Sequence, residues 1–182
     1  MSHSHRPVTA RLRPLMERTL IIGLGSPHGN DRVGWDAIDL LDEEFAEEET
    51  IACYKAAVPH DILDWLDNAT PTHLIDACSG PQAAGLRLEI TRDALGGLQA
   101  LCSDADGTCH EVVFPKLRST SSHQFDLQST LELASALDTL PRRLILWTIP
   151  IPSAIVEGKV QPEVEQLTSA CVQRLALELR GG

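Results

Sequence analysis

Apolar positions along the chain fall into short blocks separated by turn residues. Residues 19–23 read TLIIG, an unbroken apolar run that leads into the glycine-rich turn GLGSPHGND. A run of this kind is the mark of a strand buried on both faces. Beyond the turn, Ile38, Leu41 and Phe45 recur at helical spacing, and Ala37 and Leu40 widen the stripe. A helix is expected from about Val33, with EEFAEEE closing it as a solvated face. Residues 50–56 form a second predicted strand, and Pro59 opens a predicted helix carrying Ile62, Leu63 and Leu66.

Residues 72–77 read THLIDA, a third strand ending in a carboxylate, and residues 86–90 alternate as a fourth. Residues 92–122 hold one apolar patch, Val112, Val113 and Phe114, among Gly, Asp and Ser. That stretch reads as a long loop, functional or disordered, with 98–122 expected to be ordered by a partner. A helix is expected over 123–139, with Leu127, Leu131 and Ala134 inward and Pro141 as its stop. Residues 143–149, RLILWTI, form another buried strand. The last helix runs from Pro162 to Gly181, with Val164, Leu167, Cys171 and Leu175 as its core stripe.

This alternation predicts an α/β fold: a doubly wound, mostly parallel sheet with helices on both faces. Residues 1–17, polar and broken by proline, read as a flexible N-terminal arm, and 18–182 as a single α/β domain. Charge then narrows the function. With 15 Lys and Arg against 26 Asp and Glu, the chain carries a net charge of −11. Such a surface is repelled by nucleic-acid backbones and anionic membranes. No apolar run nears the roughly 20 residues of a membrane span. The start of the chain lacks the apolar block of a secretory signal, and five cysteines include no CxxC. A cytoplasmic location with reduced thiols is therefore expected.

Sites in open parallel sheets form at the carboxyl ends of the strands. Three polar residues map to that edge: Asp31 in the turn after the first strand, Asp76 at the end of the third, and His123 at the start of a later helix. Two carboxylates and an imidazole suit a divalent transition metal, and three ligands with open positions are a catalytic pattern. The bland readings stand beside this one. Asp31 could cap the following helix, Asp76 could bond turn amides, and His123 could lie on the surface. Other chemistry is less well supported. Gly29 falls one place late for a dinucleotide fingerprint, and KAAVPH supplies no ribose-binding acid. Cys78 with His123 could form a nucleophile pair, although a small buried thiol is the simpler reading. Cys102, Cys109 and His110 match no common zinc spacing. His28, His60 and His73 have no evident partner.

In order, IIGLGSPHGNDRVGWDAIDLL, HLIDACSG, SSHQFDLQSTLELASAL and RLILWTIPIPSAIVEGKVQPEVEQL resemble the motifs of the hydrogenase maturation proteases. These are nickel-dependent endopeptidases that trim the large subunit of nickel-iron hydrogenases. The resemblance spans roughly residues 19 to 180. It implies removal of a C-terminal extension from a large-subunit precursor, with Asp31, Asp76 and His123 as catalytic and metal-contacting residues. The cofactor it implies is nickel carried by the substrate, or another divalent metal in vitro. Arg32 departs from the family, where a small residue is common, and puts a cation beside that site. The competing expectation is a non-proteolytic metal-binding chaperone or maturation factor on the same fold.

Overall fold

Residues 18–79, 86–103, 109–112, 127–151 and 160–181 are described by a computed structural model. Their strands are β1 (Thr19–Leu24), β2 (Ile51–Ala56), β3 (Thr72–Ser79), β4 (Arg87–Arg92), β5 (Leu98–Ser103), β6 (Cys109–Val112) and β7 (Leu144–Ile151). The helices are α1 (Val33–Glu44), α2 (Leu127–Ala136) and α3 (Pro162–Gly181). The strands form one sheet in the order β2-β1-β3-β7-β4-β5-β6. The pairings β2-β1, β1-β3 and β3-β7 are parallel, and β7-β4, β4-β5 and β5-β6 are antiparallel. The expected α/β sheet is thus present, parallel from its β2 edge through β7 and continued beyond β7 by antiparallel strands.

Strand alternation divides the core in two. Ile21, Ile75, Ile145 and Trp147 face α1 and α3, where they meet Leu41, Val172 and Leu175. Leu20, Ile22, Leu74, Leu88 and Ile90 face the other way, against Ile62, Leu127 and Leu131. Strand β7 is buried along its length except for Ile151, as its unbroken apolar run requires. Burying a Leu or Ile side chain contributes about 1.5–3 kcal/mol, so both layers are held mainly by these aliphatic contacts.

Two expectations need correction. The segment opened by Pro59 is a 3₁₀ turn, Pro59–Asp64, and not a helix of several turns. Asp61 Oδ2 accepts the N–H groups of Ala57 (3.0 Å) and Val58 (3.2 Å), which starts the turn. Asp67 Oδ1 then accepts those of Ala69 and Thr70 at 2.8 Å and bends the chain before a helix can grow. Second, the stretch expected to be a loop contains β5 and β6. Asp93 Oδ1 accepts from Leu95 N (2.7 Å) and Gly97 N (2.9 Å), and Gly96 takes φ 85°. This tight turn folds β5 back onto β4. The arm at 1–17, the loop parts 104–108 and 113–122, and the predicted start of α2 at 123–126 lie outside the described residues. Among the described residues, no helix is long and apolar enough to cross a membrane.

Candidate functional site

The strand order reverses between β1 and β3. From β1 the chain passes through α1 on one face to β2, and it returns through the Pro59–Asp64 turn on the other face to β3. The crevice beyond the carboxyl ends of two strands whose connections diverge is where open α/β sheets place their ligands. Asp31 follows β1 and Asp76 lies near the end of β3, so both sit at this crevice.

Close backbone packing builds the turn that carries Asp31. A Cβ at Gly34 would lie 1.9 Å from Leu24 O and 3.0 Å from Ile75 O, so only glycine lets the first turn of α1 rest on the ends of β1 and β3. Likewise a Cβ at Gly25 would lie 2.4 Å from Asp31 O. Its absence lets the chain double back, so that Ser26 N donates to Asp31 O at 3.2 Å. Asn30 is buried, and its Oδ1 accepts from Gln161 N (3.2 Å), which ties the turn to the start of α3. Trp35 Nε1 donates to Ala56 O (2.9 Å) and closes the neighbouring end of β2. The glycines therefore serve backbone contact, and Asp31 stands where a dinucleotide would need its pyrophosphate.

Asp76 is half-buried as a residue, while its carboxyl sits among enough protein atoms to lose most of its hydration. Burial pushes its proton affinity well above the ordinary carboxylate range. The N–H of Ala77, 2.7 Å from Oδ1, works against that rise, and the like charge of Asp31 adds to it. Among the described residues the Ala77 N–H is the hydrogen bond Asp76 receives, and it receives no cation. Two carboxyls close enough to feel each other, one desolvated, at a topological switch point, form an arrangement that attracts a proton or a metal cation.

Of the residues selected from sequence, Asp31 and Asp76 are brought together, and His123 lies outside the described residues. Arg32 does not fill the gap. Its Nε and Nη2 lie 3.1 and 3.0 Å from Asp36 Oδ1. Its side chain lines a groove of about 540 Å³ between α1 and α3 that neither Asp31 nor Asp76 lines. Cys78 keeps its proton: burial raises its pKa, Thr148 opposes that through a hydrogen bond, and Asp76 adds to it. That favours the small-thiol reading over a nucleophile. Cys102 pairs with His110 and Ser103 with Cys109, so Cys109 lies on the opposite sheet face from the other two. No group of three His, Cys, Asp or Glu side chains among the described residues could hold a metal ion.

One polar cluster went unforeseen. His73, expected to lack a partner, is 2% exposed and accepts a 3.0 Å hydrogen bond at Nδ1 from Trp147 Nε1. The two rings stack with centroids 6.3 Å apart. Arg87 and Arg174 lie 6.0 and 5.9 Å from the Trp147 ring. Glu178 on α3 receives Arg87 through two bonds of 2.7 Å and Arg143 at 3.2 Å. This network occupies the amino half of β3, away from the crevice. Its histidine and tryptophan are 74 residues apart in sequence. They meet only through the β3-β7 register, which places His73 beside Ile145 and Ile75 beside Trp147.

No family model matches the chain, and no curated protein matches it in sequence. Solved structures do match it along most of its length. An endopeptidase from Escherichia coli superposes with a TM-score of 0.60 at 15% identity, over 90% of this chain and 93% of that one. The hydrogenase maturating endopeptidase HybD from Escherichia coli gives 0.56 at 20% identity, with the same coverage of each. The [NiFe] hydrogenase maturation protease HycI from Thermococcus kodakarensis gives 0.57 at 14% identity, again over 90% and 93%. The chain thus has the fold of the hydrogenase maturation endopeptidases.

Proposed function

We propose that the chain is a metal-dependent endopeptidase that matures a nickel-iron hydrogenase large subunit in the cytoplasm. It removes the C-terminal extension of the precursor after nickel insertion. The observation that carries this reading is the Asp31–Asp76 carboxyl pair at the switch point of a fold shared with such endopeptidases.

In this reading the metal belongs to the substrate. Nickel already seated in the precursor polarises the scissile carbonyl for attack by water. The chain's own residues present oxygen and nitrogen ligands to that metal from Asp31, Asp76 and His123. Asp76, whose burial raises its proton affinity, takes up the proton of the attacking water more readily than an ordinary carboxylate. The negative charge of Asp31 orients the cation and reinforces that affinity.

Co-expression with a nickel-loaded large-subunit precursor tests the reading. Mass spectrometry should show loss of the extension with the parent chain and retention with Asp31→Asn, Asp76→Asn or His123→Ala. A stable complex whose large subunit keeps its tail even with the parent chain would overturn proteolysis in favour of the chaperone.

A further inference from the structure

Arg32 is chemically misplaced. It sits where the 3₁₀ turn Gly29–Arg32 passes into α1, close to the helix start, where the dipole disfavours a cation. It also follows Asp31 directly in the chain, beside two carboxyls that lack a cation among the described residues. A mobile guanidinium in that position is attracted to the pair, and on reaching it would neutralise the charge that a metal must meet.

The structure shows where that guanidinium goes instead. The 3₁₀ turn Gly29–Arg32 runs straight into α1, so Arg32 and Asp36 are four residues apart on one face of a continuous helical path. Both Nε and Nη2 of Arg32 engage Asp36 Oδ1. The pair lies in the groove between α1 and α3. Asp76 lies on the other side of the sheet: it shares the face of Leu74, which packs in the opposite core layer. Asp36 therefore keeps its partner on one side of the sheet edge while the carboxyls gather at the crevice.

We infer that Asp36 is a positioning residue: it holds Arg32 out of the Asp31–Asp76 pair and so keeps the crevice anionic and open to a metal. The inference rests on the proposed metal-recognition role of that pair. Exposed ion pairs of this kind are weak. The restraint is accordingly light, and removing Asp36 should redirect Arg32 without unfolding the helix.

The test combines a crystal structure of full-length Asp36→Ala with calorimetric titration of Ni²⁺ alone into four proteins: the parent, Asp36→Ala, Arg32→Ala/Asp36→Ala and Asp31→Asn. The variant structure should place the Arg32 guanidinium within ion-pair distance of Asp31. Asp36→Ala should bind Ni²⁺ about threefold more weakly, the most that releasing a pair of this strength allows, and the double variant should return to the parent affinity. A purely structural role for Asp36 would not be rescued by deleting Arg32. Unchanged Ni²⁺ affinity in Asp36→Ala, with affinity lost in Asp31→Asn, would overturn the inference while sparing the site. If Asp31→Asn leaves Ni²⁺ binding intact, the metal role of the pair fails, and the crystal structure decides alone: Arg32 on Asp31 supports the inference, and Arg32 in solvent overturns it.

Discussion

The two ends of β3 treat buried polar groups in opposite ways. At the amino end, His73 takes the indole N–H of Trp147, and Glu178 is clasped by Arg87 and Arg143. At the carboxyl end, Asp76 has, among the described residues, one backbone N–H and a neighbour of its own charge. A satisfied network rigidifies a fold, whereas an uncompensated charge is held at a cost in stability. The first arrangement fits a structural role and the second a functional one, although both lie on the same eight-residue strand.

Substitutions should separate the two ends, and the largest effect belongs to the carboxyl end. Asp76→Asn should lower precursor cleavage at least about 100-fold while leaving the melting temperature unchanged or raised, because it removes a desolvated charge. Cleavage assays beside calorimetric melts read both quantities, and a large drop in melting temperature would place Asp76 among the structural residues. Gly34→Ala attacks the same end through packing. Its Cβ must push α1 off Leu24 O and Ile75 O, so a loss of about 3 kcal/mol in urea unfolding is expected, with cleavage lost as Asp31 moves away from Asp76. At the amino end, Glu178→Ala strands the partly exposed guanidinium of Arg87 and removes the partner of the more exposed Arg143. It should cost about 2–3 kcal/mol and leave the cleavage rate of the folded fraction intact.

The smallest effect is the pH dependence, where the two ends have opposite signs. Burial lowers the pKa of His73 from 6.5 to about 4, with Glu178 opposing and Arg143 and Arg87 assisting. Between those values the unfolded chain binds the proton and the folded chain does not. The stabilisation is therefore complete above the unfolded value and is lost as pH falls from 6.5 toward 4. From pH 7 to pH 5 it should diminish by about 2 kcal/mol. Asp76 is raised, so the folded chain binds its proton more tightly, and its contribution improves with acidification. Urea titrations at the two pH values should show the acid loss shrink in His73→Gln, which keeps an acceptor for Trp147, and grow in Asp76→Asn. Equal slopes in all three proteins would break the comparison.

How well the sequence foretold each region follows from how local its determinants are. Strands β1, β3 and β7 were legible because strands buried on both faces read as apolar runs, and Asp31 and Asp76 could be placed because connectivity alone puts them at one sheet edge. The pairing of His73 with Trp147 was not legible, since it joins residues 74 apart through the register of two strands distant in sequence. Strands β5 and β6 were hidden by composition: of residues 98–102 only Ala100 is fully buried, and CHEV is mostly exposed. The 3₁₀ turn after Pro59 had a helix's apolar spacing, and aspartate side chains, not apolar contacts, ended it. Asp36 was passed over because its meaning comes from Arg32, four residues earlier, and from the side of the sheet to which that arginine turns.

The order of the sheet also bears on how it is made. β7 lies between β3 and β4, yet among the described residues it is the last strand in sequence. Until residues 144–151 leave the ribosome, the edges of β3 and β4 that pair with β7 lack their partner. Pairing β3 with β7 closes an interval of 72 residues between Thr72 and Leu144, an entropic cost that precedes its reward. A nascent chain stalled before β7 would present two bare edges and both aliphatic layers. It should therefore be a client for holding chaperones during synthesis, and the arrival of one strand should end that dependence.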